Sequence, residues 1–335
     1  MDVAIVGAKG FGALELIKIL YNHPYFNIKK LVIKEEERET LSNIHPMFDK
    51  VFDIEVGYCE PSKLSKEVDL IFLALPHKSS MEWAKELLKD NKRVIDLSAD
   101  YRLSLENYEK YYSKHIDSNN LDIAIYGLVE YFKEEIKSAK LVALPGCYPT
   151  ATLLALLPFV DYLDNSFPII IDAKSGVSGA GRKLSTTTHF VTINENIFAY
   201  NPLIHRHEPE IKEKVFYLSK KEFDINFVPH LIPITRGELV SIYGILKEDI
   251  NPFEVLQKRY KDERFVRVRD RAVDVKSVAG THFCDIFATK KKKTLFISSA
   301  IDNLVRGTAS NGVACANLMY GFDEGLGLPQ IAYMP

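Results

Sequence analysis

The sequence predicts an α/β protein of two domains: a first with a parallel sheet covered by helices on both faces, and a second α/β domain with a largely antiparallel sheet. Three observations carry this. Short, continuously apolar runs alternate with helix-period segments as far as about residue 145, the pattern of strands buried on both faces. Beyond Pro149 the strand-like runs lengthen and alternate, as in a sheet with one half-solvated face. At 335 residues the chain exceeds a single small domain.

Taken in order, strands are expected at Val3–Val6, Ile28–Ile33, Val51–Tyr58, Leu70–Leu75, Arg93–Leu97 and Leu141–Leu144. Helices are expected between several of them, at Leu14–Tyr21, Ser80–Leu88 and Glu130–Ser138. A helix-like run, Thr150–Leu157, leads to strands at Pro168–Ala173, Ile225–Ile232, Leu239–Leu246 and Phe265–Arg269. Phe283–Thr289 and Thr294–Ala300 flank the basic run Lys290–Lys293, which reads as the solvated tip of a hairpin rather than a phosphate patch. Gly307–Tyr320 is rich in small residues and reads as a closing helix. The expected boundaries are 1–146 for the first domain, 147–305 for the second, and 306–335 for a C-terminal helix that returns to the first.

Apolar residues make up 47% of the chain and charged residues 26%, and 43 basic against 45 acidic side chains leave a formal net charge of −2. That balance argues against a nucleic-acid partner, which calls for a basic excess. Cys59, Cys147, Cys284 and Cys315 are too scattered for a disulfide scaffold or a zinc site, so no metal is expected. Met1 runs straight into a strand-like segment, which leaves no room for a leader, and no apolar run approaches the ~20 residues of a membrane span. The expected location is the cytoplasm, with reduced thiols and no membrane partner.

The first strand ends in Gly7-Ala8-Lys9-Gly10-Phe11-Gly12-Ala13, a GxxGxxA variant of the dinucleotide fingerprint. Glycines there let the backbone turn tightly and approach a pyrophosphate, whose charge the following helix N-terminus stabilises. A glycine turn alone is a weak signal, since many turns use glycine for positive φ. The buried strand before it and the helix after it make it specific, and mark Gly7, Lys9, Gly10, Phe11 and Gly12 as cofactor candidates.

The second informative stretch is Leu144-Pro145-Gly146-Cys147-Tyr148-Pro149. It places Cys147 at a helix N-terminus, where free N–H groups and the helix dipole favour the thiolate. A lone cysteine is more often a small buried hydrophobe, but the turn around Cys147 reverses those odds, and the other three cysteines read as packing. A thiolate nucleophile needs a proton shuttle. The candidates lie in His205-Arg206-His207-Glu208-Pro209-Glu210, whose bland reading is a solvated loop before a helix. Arg102, Arg182 and Arg236 sit in polar or glycine-flanked turns, where a guanidinium fork suits an anion, though each alone is more often a surface ion pair.

With these motifs in place the chain resembles the N-acetyl-γ-glutamyl-phosphate reductases, which belong with the aspartate-semialdehyde dehydrogenases. The resemblance runs from Val3 to about Gly327. It rests on PGCYPTA at Pro145–Ala151, SGVSGAGR at Ser175–Arg182 and HRHxPEI at His205–Ile211. Further matches are LPHKxS at Leu75–Ser80, DLSADYRL at Asp96–Leu103, NENxxxY at Asn194–Tyr200 and AIDNLVRG at Ala300–Gly307.

The resemblance implies a Rossmann-type first domain, a second α/β domain for catalysis and dimerisation, and NADP(H) as cofactor. It also implies a homo-oligomer acting on a small acyl phosphate. Carried over residue by residue, Cys147 is the nucleophile and His205 the acid/base, with His207 a rival. Asn303 would hold the nicotinamide carboxamide, Ser178 and Gly179 would lie beside the cofactor, and Arg102 and Arg206 would bind substrate anions. The implied reaction is NADPH-dependent reduction of N-acetyl-γ-glutamyl phosphate to N-acetylglutamate semialdehyde, with release of phosphate, in arginine biosynthesis.

The chain departs from the family pattern at several points. Ala13 replaces a third glycine and Gly12 a threonine, Leu144 stands for the usual asparagine before Pro-Gly-Cys, and Ser310-Asn311 replaces Gly-Gln. A Ser-Ser-Arg segment becomes Val32-Ile33-Lys34, followed by Glu35, Glu36 and Glu37. Lys34 then occupies the place of the arginine that meets the ribose 2′-phosphate, Lys9 could add a second charge, and NAD stays open as the alternative cofactor. A reductase acting on a carrier-bound aminoadipyl or glutamyl phosphate is disfavoured, because its members carry Asn-Ala where this chain has Tyr148-Pro149. A cysteine hydrolase would leave the GxxGxxA turn unexplained, and a non-catalytic dinucleotide-binding regulator would tolerate loss of Cys147.

Overall fold

The computed structural model describes residues 1–33 and 38–333, which fall into two compact units. The first comprises Met1–Pro145 and Thr308–Pro329; the second comprises Gly146–Gly307 and the residues from Gln330 onward.

Eight strands form the sheet of the first unit: β1 (Asp2–Val6), β2 (Asn27–Val32), β3 (Glu39–Thr40), β4 (Glu55–Gly57), β5 (Leu70–Leu73), β6 (Arg93–Asp96), β7 (Ala124–Tyr126) and β8 (Leu141–Ala143). Their spatial order is β3-β4-β2-β1-β5-β6-β8-β7, and all neighbours are parallel except β3 and β4. Val3 to Val6 and Leu70 to Leu73 are buried without alternation, as strands covered on both faces must be. The order reverses at β1, with β2 on one side and β5 on the other, and in such sheets ligands bind beyond the carboxyl end of the strand at the reversal. The glycine turn occupies that position.

One expected strand is much shorter than its apolar run. Of Val51–Tyr58 only Glu55–Gly57 pairs as β4. Pro46 opens a 3₁₀ turn, Val51 N–H closes back on Phe48 O, Val51 faces solvent, and Phe52 packs its ring on Tyr21 at 5.4 Å. Edge strands β3 and β7 carry no distinctive pattern and were not expected. The helix Leu105–Tyr111 was missed too, although Ser104 caps it by accepting from Asn107 N–H.

The closing helix, Ser310–Met319, belongs to the first unit and packs on the helices Phe11–Tyr21 and Val129–Ser138. All ten of its residues are buried, which explains its small side chains: a Cβ on Gly312 would stand 3.1 Å from Leu144 Cδ1. Two asparagines anchor it through their amide nitrogens. Asn311 donates to Gly127 O. Asn317 Oδ1 meets His23 Nε2 at 3.0 Å, and its amide donates to Glu324 O and Leu326 O. His23 Nδ1 accepts from the N–H groups of Tyr25 and Phe26, so the proton is on Nε2 and His23 donates to Asn317.

The second unit holds a seven-stranded sheet: β9 (Ile169–Gly176), β10 (Phe198–Ala199), β11 (Ile225–Ile232), β12 (Glu238–Ile245), β13 (Val266–Val268), β14 (Cys284–Lys291) and β15 (Thr294–Ile301). The order is β10-β11-β9-β12-β15-β14-β13, with only the β11–β9 and β14–β13 pairs parallel. β14 and β15 form the expected lysine hairpin, with Lys292 at φ 54° in its turn. Burial alternates along β11 and β12, and the helix Cys147–Leu156 packs on the buried side against β12 and β15. No helix among the described residues is long and apolar enough to cross a membrane.

Removing Asn317 tests the anchoring of the closing helix. Asn317→Leu leaves the His23 donor and two carbonyls without partners, and each such group costs about 1–3 kcal/mol. A loss of at least about 2 kcal/mol is expected in urea unfolding; a smaller one would mean that water replaces the amide.

Candidate functional site

Cys147 is the first residue of a ten-residue helix, with Gly146 in extended conformation (φ −64°, ψ 158°) as its N-cap and no side-chain cap. Every other residue of that helix is buried, so the cysteine rides on a rigid element. The thiol is half-buried and lies where the helix dipole favours an anion. Its surroundings are built by close approach. A Cβ on Gly307 would stand 2.7 Å from Cys147 Cβ, and Gly307 sits in a π turn, Val305–Ala309, where its N–H bonds Asp302 O.

The two candidate histidines have different neighbours. The His207 ring lies against Gly146, where a Cβ would come within 2.6 Å of its Nε2. One turn further along the helix His207–Ser219, buried Glu210 accepts from Gly146 N–H at 3.0 Å, so this helix grips the residue before the thiol from two positions. The His205 ring stands 4.9 Å from that of His207 and is boxed by the rings of Tyr200, Tyr148 and Phe227. His205 Nδ1 accepts from His207 N–H. Burial, helped by the Arg206 charge, pushes the His205 imidazole down to about 4, so it is neutral at ordinary pH. Tyr200 donates to the Tyr148 hydroxyl at 3.2 Å, and burial keeps both phenols protonated.

Three cofactor candidates distant in sequence come together. Asn303 accepts from Gly237 N–H at 2.8 Å and donates to the Ser178 hydroxyl at 3.1 Å, while a Cβ on Gly179 would stand 3.3 Å from the Asn303 amide nitrogen. In the first unit, Gly7 has φ +96°, and a Cβ there would sit 2.3 Å from Ala74 O, so only glycine suits the turn. Gly10 N-caps the helix that Phe11 and Gly12 begin; no side chain caps it, which leaves its first-turn N–H groups for an anion. His45 braces the turn at Ala8 O.

The charged candidates are less uniform. Lys9 forms an ion pair with Glu39 at 3.0 Å. Lys34 lies outside the described residues. Arg102, in the first unit, is buried and donates to Leu144 O and Leu97 O, bracing the ends of two strands. Arg206 N-caps the histidine helix with its guanidinium exposed.

Glu238 went unnoticed in the sequence. It is fully buried at the start of β12, and neither of its carboxyl oxygens meets a hydrogen-bond donor. Burial pushes that carboxyl up to about 8; the thiol works against the shift and Asp302 with it. The signal was available: Glu238 falls in phase with Val240 and Ile242, the buried side of an alternating strand.

Comparison with known proteins places these features in context. Residues 2–139 match the semialdehyde dehydrogenase NAD binding domain, and residues 147–303 match the semialdehyde dehydrogenase dimerisation domain. The chain is 56% identical over 335 residues to the N-acetyl-gamma-glutamyl-phosphate reductase of Sulfurovum sp. (strain NBC37-1), covering 100% of both chains. It is 52% identical to the reductase of that name from Wolinella succinogenes, covering 100% of this chain and 99% of the other. Among solved structures it resembles aspartate semialdehyde dehydrogenase II of Vibrio cholerae, complexed with ASA, with a TM-score of 0.71 at 16% identity over 96% of this chain and 98% of that one. The aspartate semialdehyde dehydrogenase of Candida albicans with NADP gives a TM-score of 0.67 at 14% identity, over 95% and 98% of the two chains. At such identities the likeness is one of fold.

The partial burial of His205 has a measurable consequence. Its folded value of about 4 lies below the ordinary 6.5, so between these the unfolded chain binds the extra proton. Its contribution to stability is therefore complete above pH of about 6.5 and is lost as the pH falls toward 4. His205→Asn should flatten the fall of unfolding free energy across that window, and NMR titration should find the His205 ring neutral above pH of about 5. A ring that titrates near 6.5 would refute its burial as described.

Proposed function

The chain belongs to the N-acetyl-gamma-glutamyl-phosphate reductase family of semialdehyde dehydrogenases, and on that premise we propose that it reduces N-acetyl-γ-glutamyl phosphate to N-acetylglutamate semialdehyde in the cytoplasm, as a step of arginine biosynthesis. The observation that carries the proposal is Cys147 at an uncapped helix N-terminus with the His207 ring against the preceding peptide.

In this reading the Cys147 sulfur attacks the acyl phosphate, phosphate departs, and the acyl group is held as a thioester. The bound dinucleotide supplies the hydride that takes the acyl group to the aldehyde level. We assign the acid/base role at the carbonyl oxygen to His207 rather than His205. His205 has its Nδ1 committed to His207 N–H, and an imidazole held near 4 is a poor acid–base at neutral pH. His205 then positions: it fixes the start of the His207 helix and closes an aromatic wall with Tyr148 and Tyr200.

The Gly7–Gly12 turn would hold the pyrophosphate, and Asn303, with Ser178 and Gly179, the carboxamide of the nicotinamide. We propose NADP as the preferred cofactor, with Lys34 as the cation for its 2′-phosphate; Lys9, paired with Glu39, would add less. Arg206, exposed beside the histidines, suits a substrate anion, and Arg102, spent on backbone carbonyls, is the weaker candidate. We also propose a homo-oligomer formed through the half-exposed face of the second sheet, where Ile170 and Tyr243 lie opposite each other and Tyr243 packs on Phe296.

Cys147→Ser should lower turnover by orders of magnitude with dinucleotide binding intact, and His207→Asn should cost about 10²–10⁴-fold in kcat, more than His205→Asn. The assay is phosphate-dependent oxidation of N-acetylglutamate semialdehyde, run with both dinucleotides. A serine variant near parental turnover would remove the thioester. For the cofactor, NADPH should exceed NADH in kcat/KM, and Lys34→Ala should erase most of that margin; preference for NADH in the parent enzyme would overturn the NADP assignment.

A further inference from the structure

Arg306 is fully buried, and it belongs to the π turn Val305–Ala309, whose Gly307 lies against the thiol residue. A Cβ on Gly307 would stand 2.7 Å from Cys147 Cβ and 3.2 Å from Cys147 Cα, so the turn borders the bond about which the sulfur rotates. Two connections tie that turn to the loop ahead of β14. Arg306 Nη1 meets His282 Nε2 at 2.5 Å, and Asp302 Oδ2 accepts from Gly280 N–H at 2.6 Å. From within the turn, Asp302 Oδ1 accepts from Leu304 and Val305 N–H, and Asp302 O accepts from Gly307 N–H. Arg236, an anion candidate in the sequence, pairs with Asp302 Oδ2 at 3.5 Å.

A guanidinium only donates, so His282 Nε2 is the acceptor and the ring carries its proton on Nδ1. His282 is itself fully buried, edge-on to Phe265 with ring centroids 4.7 Å apart. Burial, helped by the Arg306 charge, pushes its imidazole well below the ordinary range, so the ring stays neutral and keeps that acceptor. Taking a guanidinium out of water is costly, and an apolar side chain would fill the same space without that cost. Apolar packing has no preferred direction, whereas a hydrogen bond fixes both distance and angle. The π turn is itself an uncommon conformation that recurs at functional sites.

We propose that Arg306 is a positioning residue: its bond to His282 holds the π turn against Cys147, and Gly307 then limits the directions in which the sulfur can point. The buried helix fixes the backbone of Cys147 but leaves the side chain free to rotate about Cα–Cβ, and the turn closes one side of that rotation. A loosened turn lets the sulfur leave its line of attack and, with it, the N–H groups at the start of its helix. Misplacement by about 1 Å at a reacting atom can cost ~10²-fold in rate with substrate contacts intact. The effect on turnover rests on the reductase reading above; the effect on the thiol rests on the geometry alone.

The test compares the parent with His282→Leu, which removes the acceptor, His282→Gln, which keeps one, Arg306→Met and Arg306→Lys. Two quantities are read: the pH midpoint of Cys147 alkylation by iodoacetamide, followed on the Cys147 peptide by mass spectrometry, and kcat and KM in the phosphate-dependent assay. His282→Leu and Arg306→Met should raise the midpoint toward the ordinary thiol value of about 8.5. They should lower kcat by about 10–10²-fold with KM within about threefold, and His282→Gln and Arg306→Lys should recover part of both effects. Asn317→Leu, which weakens the closing helix of the first unit, controls for lost stability and should keep the parent's values. Either quantity at the parent's value in folded His282→Leu, a loss carried by KM, or the same losses in Asn317→Leu overturns the proposal. Should the Leu and Met variants fail to fold, Arg306→Lys decides, and a parental midpoint and turnover there overturns it. If the midpoints shift as expected while the parent reduces no acyl phosphate, the reductase reading fails and the positioning role stands.

Discussion

The helix Cys147–Leu156 is buried on every side, and its first residue carries the thiol. That constraint organises the second unit. A helix with no exposed face beyond its first residue cannot rotate or slide without exposing apolar surface or opening voids, so packing fixes the residue that carries the sulfur. The neighbours must then come to it. Gly307 lets the π turn touch Cys147 Cβ, Gly146 leaves room for the His207 ring, and Glu210 bonds the Gly146 N–H. The two glycine contacts are close approaches that a Cβ would block.

Burial also sorts the titratable groups around the thiol. It pushes His205 down and Glu238 up, and it holds Tyr148 and Tyr200 in their protonated forms. The net effect is that the imidazole and the two phenols near the thiol are neutral. In such surroundings the helix N-terminus and the developing charges of a reaction interact strongly, because little water screens them. An exposed cluster of the same residues would titrate at ordinary values and offer no such bias.

Much of the first unit was legible because its strands are buried on both faces, and uninterrupted apolar runs such as Val3–Val6 and Leu70–Leu73 have no other plausible fate. Val51–Phe52 deceived for the same reason: an apolar pair can also pack on a surface aromatic, and Pro46 had already turned the chain. Edge strands of two or three residues, such as β3 and β7, take their pairing from neighbours and carry no pattern. At the site, the strand–turn–helix context pointed to Cys147 and to the glycine turn. The choice between His205 and His207 was not legible, since two residues apart on a helix entry face different surroundings that only the packing defines. The joining of Asn303 to Ser178 depends on contacts across 125 positions and came into view only through the motifs.

Glu238 is an inconsistency that the sequence itself carries. Strand β12 alternates, and the phase shared by Glu238, Val240 and Ile242 faces the helix that bears the thiol. An acid on that phase contradicts the local rule that buried faces are apolar, and neither an ion pair nor a helix cap accounts for it. Natural chains keep such conflicts where the group is used, because the same burial that makes a carboxylate unfavourable raises its affinity for a proton. The start of β12 therefore carries a carboxyl that holds its proton more tightly than an exposed one does. His205 responds to the same loss of water in the opposite sense: its imidazole is driven to the neutral form, which leaves Nδ1 free to accept from His207 N–H at the entry to the helix.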